Sequence, residues 1–341
     1  MKPVFHPQLL NDPFSDPGVY VEFLFGKRAI LFDLGDVSRL TPRKILRVSD
    51  VFVSHTHMDH FVGFDQVLRI CLGRRSRLRL FGPPGFIDRV EHKLAAYTWN
   101  LVQNYENDFT LVVTEVDIDG GAHSASFRCR TAFERHDSGT SAIASSGLLE
   151  EDAFRIDAVT LDHRIPCLAF ALHEKQHVNI WKNRLTELGL PTGPWLQELK
   201  AAVIGAQPDD TRFRVWWHDA GKLYERYFPL GELRAEFVRI VPGQKIVYVV
   251  DAVYHEENAK RIIDFAHEAD ILFIEATFLH KDARRAAEKY HLTAHQAGML
   301  AHEAGVKRVV PFHFSPKYSN EPEQLRKEVE QAFGGRATAQ A

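Results

Sequence analysis

The sequence is poor in cysteine, has no long apolar run and carries almost no net charge. Its three cysteines, Cys71, Cys129 and Cys167, are odd in number, far apart and in no C-x-x-C spacing. That excludes a disulfide framework or a thiolate metal site as the organising feature and leaves them as small core residues. No stretch approaches the roughly 20 apolar residues of a membrane span, and Met1-Lys-Pro-Val-Phe-His-Pro-Gln lacks the apolar run of a signal peptide, so a cytoplasmic protein is expected. The 42 Lys+Arg against 45 Asp+Glu leave a charge of −3, which excludes a generally basic nucleic-acid coat and confines any such contact to one face. Internal repeats are absent, and the one low-complexity block, residues 334–341, reads as a flexible tail.

What is present is an ordinary globular composition, 45% hydrophobic and 26% charged, in 341 residues, long enough for a sizeable core. Short runs rich in branched residues predict buried strands at Ala29-Ile-Leu-Phe, Asp50-Val-Phe-Val, Ile246-Val-Tyr-Val-Val, Ile271-Leu-Phe-Ile and Arg308-Val-Val-Pro-Phe. Asp33, His55, Asp251, Glu275 and His313 follow these runs in turn, which places acids and histidines at strand C-terminal ends, where ligands bind in sheets with helical connections. Helical spacing marks residues 63–72, 256–268 and 321–333, with Gly334 expected in a left-handed position after the last. Thr293-Ala-His-Gln296 reads as a capping box opening a helix that Gly305 closes. Residues 174–243, broken by Pro191, Gly193, Pro194, Gly205 and Pro208, read as an excursion from a single domain spanning 1–333, with few strand runs besides Arg212 to Trp217.

The 18 histidines include the centre of the argument, Ser54-His55-Thr-His57-Met-Asp59-His60. Three imidazoles and a carboxylate lie within six residues after a buried strand, where one tight loop can aim them at a common centre. Neutral imidazole and carboxylate are the donors that suit zinc.

This H-x-H-x-D-H motif resembles the metallo-β-lactamase superfamily, whose further ligand order is His, Asp, His. His163 in Leu161-Asp-His-Arg-Ile-Pro-Cys, Asp251 after Val249-Val250, and His313 in Pro311-Phe-His-Phe-Ser-Pro-Lys-Tyr318 fill those places. The resemblance implies a four-layer α/β/β/α sandwich and two divalent ions, zinc foremost with manganese or iron as alternatives. It assigns one ion to His55, His57 and His163, the other to Asp59, His60 and His313, with Asp251 bridging, and it makes Asp33 a residue that orients the ligands. His136 is the main rival to His163, with His123, His173, His177 and His218 as further rivals in the middle of the chain. The His-x-x-Pro-Cys-Leu-Ala-Phe context favours His163, because it is similar to a run in the ribonuclease Z branch. Leu190-Pro-Thr-Gly-Pro-Trp-Leu-Gln-Glu-Leu-Lys200 resembles that branch's tRNA-gripping arm, and Glu275-Ala-Thr-Phe with His291-Leu-Thr-Ala resembles its Glu and His dyad. The sequence departs from that branch in its opening segment, at Val250-Asp251-Ala252 in place of Gly-Asp-Thr, at Leu292, and across 201–243 with its Trp216-Trp217-His218.

The resemblance implies hydrolysis of precursor tRNA at the 3′ trailer, with Asp59, Glu275 and His291 as catalytic residues and a homodimer as the assembly. Arg74, Arg75, Lys200 and Lys317 are candidate phosphate contacts, within a wider set that includes Arg69, Arg77, Arg79, Lys175, Lys182 and Arg184. Two other readings use the same residues: a hydrolase of a small phosphodiester, cyclic nucleotide or other ester, and a non-catalytic RNA-binding member.

Overall fold

The computed structural model describes residues 5–24, 26–117, 120–142 and 147–334, so the expected tail beyond Gly334 lies outside the described residues, as does the side chain of Lys182. The chain divides into two compact units, one made of residues up to 148, 156–172 and 245 onward, the other of 149–155 and 173–244. Among the described residues no helix is long and apolar enough to cross a membrane.

In the larger unit, strands apolar on both faces must be covered on both faces. Successive side chains point opposite ways along a strand, so Ala29, Leu31 and Val51 enter one core with the helices Phe64–Cys71 and Phe86–Ala95, while Phe32 and Phe52 face the other side. Eight strands in chain order make this sheet: Phe5–Leu9, Val19–Phe23, Ala29–Phe32, Val48–Phe52, Arg77–Gly82, Thr110–Val116, Gly121–Arg128 and Arg135–Ala142. The pairings from Ala29–Phe32 through Thr110–Val116 are parallel.

A second sheet sets Val309–Phe312, Ile271–Glu275, Lys245–Val249, Pro166–Glu174 and Phe154–Asp162 side by side, the first three parallel. Val247, Val249, Leu272 and Ile274 project from it into a core with the helices Glu256–Ala266, Ala294–Glu303 and Pro322–Phe333. On its other face Phe170 and Tyr248 each stack on Phe32 of the first sheet, with ring centroids 5.7 Å apart. The layering is therefore helix, sheet, sheet, helix, a four-layer α/β/β/α sandwich.

Local signals behave as expected in two places and not in a third. Thr293 and Gln296 form a reciprocal capping box, and Gly305 ends that helix with a φ of +65°. Gly334 sits at φ −73°, not left-handed, because its N–H still bonds the Glu330 carbonyl and the last turn stays right-handed.

The smaller unit has its own core, in which buried Trp195 clusters with Val178, Leu199, Val215, Leu230 and Phe237. It holds more strand than the sequence pattern predicts. Gln176–Ile180 pairs with Val238–Pro242, and Arg212–Asp219 pairs with Lys222–Pro229. Lys222–Pro229 is almost wholly exposed, so no apolar run announced it. The turn closing that hairpin, Ala220-Gly221, has positive φ at both residues, +46° and +79°, the twist a two-residue hairpin loop requires. Trp216 and Trp217 are both half-buried; Trp216 donates its indole N–H to Glu198 and Trp217 stacks on Tyr224.

Candidate metal centre

Every candidate metal ligand lies in the larger unit, at strand ends and in the segments that follow them. Asp33, Asp251 and His313 come directly or one residue after parallel strands and take positive φ, +59°, +46° and +58°. A left-handed residue there ends the strand and turns the chain sharply, a conformation that Asp and His adopt more readily than most side chains. After Val48–Phe52 a loop carries Ser54 to His57 and runs into the one-turn helix Met58–Phe61, which carries Asp59 and His60, and the turn between Phe154–Asp162 and Pro166–Glu174 carries His163.

The structure brings all seven candidate ligands together. His55, His57, His163 and Asp251 form one group whose donor atoms lie within 4.8 Å of one another, and Asp59, His60 and His313 form a second. Asp251 Oδ2 lies 3.5 Å from His55 Nε2, 3.5 Å from His60 Nε2 and 3.3 Å from His163 Nε2, while its Oδ1 lies 3.3 Å from His313 Nδ1. His55 Nε2, His60 Nε2 and Asp251 Oδ1 are buried with no hydrogen-bond partner. Orphaned buried polar atoms are rare and costly; three of them converging on one centre, with further imidazole and carboxylate donors around them, fit divalent cations.

The opposite edge of each ring fixes which nitrogen is left bare. His60 Nδ1 donates to Asp33 Oδ2 at 2.8 Å, and His163 Nδ1 donates to the Tyr290 carbonyl at 2.8 Å. Ser54 Oγ lies 3.1 Å from His55 Nδ1. Asp33 is wholly buried and also accepts from Ser54 N at 2.6 Å, Ser54 Oγ at 2.8 Å and the Tyr248 hydroxyl at 2.8 Å. Partners of this kind hold tautomer and ring orientation for metal binding.

Burial, with a contribution from neighbouring His60, pushes the His55 pKa down to about 2, so that ring stays neutral. His57, the exposed member of its group, is also lowered, by burial of its ring and by His163. Burial acts against charge on His60 and Asp251 too, but the carboxylates of Asp251 and Asp33 raise the former well above 6.5, and His313 and His60 hold the latter well below 3.8.

Beside it stands a second pair. His291 Nδ1 lies 2.7 Å from Glu275 Oε2 and 3.8 Å from Asp251 Oδ1. Glu275, wholly buried, accepts from Ala252 N at 2.7 Å, Leu292 N at 3.3 Å and Thr277 Oγ1 at 2.6 Å. Burial lowers the His291 pKa, but Glu275 and then Asp251 outweigh it and raise it to about 9. Asp59, His291 and His313 line one open cavity of about 410 Å³ with Phe14, Asp16, Thr277, Phe278, Arg285, Lys289 and Phe314.

The other candidates fall elsewhere. Arg74 donates to the Ile70 carbonyl at 3.1 Å and Arg75 to the Leu46 carbonyl at 2.7 Å. Lys317 pairs with Asp282 at 2.8 Å, and Arg79 is bound to buried Asp50. Lys200 lies on the helix Trp195–Ile204 of the smaller unit. His136 is exposed on Arg135–Ala142 opposite Ser126, away from the cluster, and His123 pairs with Asp117 at 2.8 Å. Sequence reasoning did not reach Ser54 and Tyr248 as supports of Asp33, Thr277 as the bridge between Glu275 and the His313 carbonyl, or Arg285 and Lys289. A Glu-x-Thr spacing at the strand end is the one signal that pointed to Thr277.

Residues 234–314 match the family described as a beta-lactamase superfamily domain. The chain is 34% identical over 316 residues to ribonuclease Z of Deinococcus radiodurans, covering 91% of this chain and 90% of that protein. Among solved structures it resembles the short form of human tRNase Z, with a TM-score of 0.53 at 18% identity over 92% of this chain and 93% of that one. It also resembles unliganded yeast PDE1, with a TM-score of 0.55 at 8% identity over 98% and 95% of the two chains.

Proposed function

The chain belongs to the ribonuclease Z family, and from that premise we propose that it is a metal-dependent endoribonuclease that removes 3′ trailers from precursor tRNA. The observation that carries this reading is the meeting, around one cavity, of an imidazole and carboxylate cluster with bare buried donors and a Glu275 and His291 pair. His55, His57 and His163 would hold one divalent ion and Asp59, His60 and His313 a second, with Asp251 shared; zinc suits these donors, with manganese or iron as alternatives. When bound, such ions polarise the scissile phosphate and lower the pKa of the attacking water.

The protein's own groups do the rest. Asp59, which burial pushes up but His313 and His60 together hold well below the usual carboxylate range, stays ionised and accepts the proton of the attacking water. Glu275 holds His291 by Nδ1 and leaves Nε2 to face the cavity. As the bond from phosphorus to the 3′-oxygen breaks, His291 donates a proton to that oxygen, leaving a 3′-hydroxyl on the RNA and a 5′-phosphate on the trailer. Tyr248, Ser54 and Asp33 keep His60 in place throughout. A homodimer and a cytoplasmic location belong to the same reading.

The test is cleavage of a precursor tRNA bearing a 3′ trailer, with zinc or manganese supplied, beside His57→Ala and bis(p-nitrophenyl) phosphate. Metal-dependent cutting at the trailer junction, lost in the variant, is the expected result. Hydrolysis of the small diester with intact precursor would refute the tRNA reading and favour a small phosphodiester as substrate.

A further inference from the structure

The cavity that Asp59, His291 and His313 line has two unlike ends. Asp59 and Asp16 are carboxylates close enough that Asp59, after burial, raises the Asp16 pKa. Arg285 and Lys289 are exposed cations on the same cavity, four residues apart around the short helix Ala283–Glu288. Residues at that spacing share a helix face, and like charges there repel. The neighbouring positions on the same helix are arranged the other way: Arg284 pairs with Glu288 at 3.0 Å. The guanidinium of Arg285 lies over the Phe278 ring at 6.0 Å, and no carboxylate is paired with Arg285 or Lys289 among the described residues. Two unneutralised cations on one wall therefore face the space beside His291, with apolar Phe14 and Phe314, in edge-to-face contact at 5.3 Å, also lining it.

We propose that this wall is a one-nucleotide subsite, in which Arg285 and Lys289 hold the phosphate on the 5′ side of the nucleotide whose 3′-oxygen leaves at His291. The inference rests on the reading of His291 as the proton donor to that oxygen. Lys289 is two residues from His291, so a cation and the donor reach the same nucleotide from one turn of chain. Partly exposed Phe14, backed edge-on by buried Phe314, offers a sequence-tolerant face for the base, and the phosphate relieves the repulsion between the two cations. Arg supplies a fork that matches phosphate geometry, and Lys supplies a point charge. No base edge is read, so the subsite positions the strand without choosing its sequence.

The metal-loaded protein and Arg285→Gln/Lys289→Gln are titrated by calorimetry with cytidine 5′-monophosphate and with cytidine, and both proteins are assayed on precursor tRNA and on bis(p-nitrophenyl) phosphate. The monophosphate, a mimic of the cleaved 3′ end, should bind the wild type more tightly than the nucleoside by about tenfold or more, as charge-assisted hydrogen bonds do. The double variant should lose that gap, and Arg285→Lys/Lys289→Arg should recover part of it. On precursor tRNA the variant should lose about 10-fold to 100-fold in kcat/KM, chiefly through KM, and at least tenfold more than on the small diester. Arg284→Gln should match the wild type. An unchanged affinity for the monophosphate in the double variant, or equal losses on both substrates, overturns the subsite. If the wild type leaves precursor tRNA intact, the tRNA reading fails and the calorimetric comparison still decides the subsite.

Discussion

Replacing Glu275 by Gln keeps the shape of a buried side chain and changes one thing, the ability to accept on every side. Oε1 takes the N–H groups of Ala252 and Leu292, so the amide oxygen of Gln belongs there and both backbone donors stay satisfied. The amide N–H₂ then faces Thr277 Oγ1 and His291 Nδ1. Thr277 can accept, because its own hydroxyl has the His313 carbonyl at 2.9 Å as an alternative acceptor. His291 Nδ1 must instead give up its proton to accept, which leaves the imidazole neutral. The fold and the metal ligands are therefore retained while the proton donor is disabled. General acid catalysis contributes about 10²–10⁴-fold, or about 2.7–5.5 kcal/mol of barrier at about 1.36 kcal/mol per tenfold. We expect kcat on precursor tRNA to fall by that factor with KM little changed, since Glu275 does not line the cavity. Bis(p-nitrophenyl) phosphate releases a leaving group that needs no proton, so its hydrolysis should fall far less. Single-turnover cleavage of both substrates, with metal content and thermal unfolding measured on the same preparation, is the assay. A variant within about threefold of wild type on RNA, or equally impaired on both substrates, would refute the assignment of His291 as acid.

Three further outcomes follow from the same geometry. Asp33→Asn converts an acceptor that serves Ser54, Tyr248 and His60 into one that can accept on one side only, and should weaken metal affinity by about 10–100-fold; competition with a chelating dye measures it, and unaltered affinity would contradict the role of Asp33. Stripping the metals should lower the unfolding temperature, because saturation at about 100 times Kd adds about 2.7 kcal/mol; calorimetry with zinc and with chelator should differ by about 4 °C for a chain of 341 residues, and coincident curves would argue against bound metal. Asp282 is held below its usual 3.8 by the Lys317 and Tyr318 hydrogen bonds, so its stabilising effect is present above that value and lost as pH falls through the lower folded pKa. Asp282→Asn should be less stable than wild type at neutral pH and converge with it in acid; a gap independent of pH from unfolding scans would exclude the ionised pair as its cause.

The strands Ala29–Phe32 and Ile271–Glu275, the helix Ala294–Glu303 with its Thr293 cap, and the histidine loop were all legible, because each rests on neighbours in sequence. Lys222–Pro229 was not legible, because an exposed ribbon has no apolar alternation and is held by its partner strand alone. The same distinction runs through the site. Six residues supply four of the donors, so chain connectivity alone brings them together, and the residue types name the chemistry. The sequence by itself therefore determined the histidine loop and the strands and helices that frame it. Which charges are free was decided only in three dimensions: Arg79 and Lys317 look like phosphate contacts until Asp50 and Asp282 are seen beside them. Arg285 and Lys289 look like one more solvated pair until they are seen on the wall beside His291. Tyr248 reaches Asp33 across 215 residues because two sheets stack face to face. A side chain's type is local, but its partner is set by the packing of elements far apart in the chain, and only the tertiary structure supplies that.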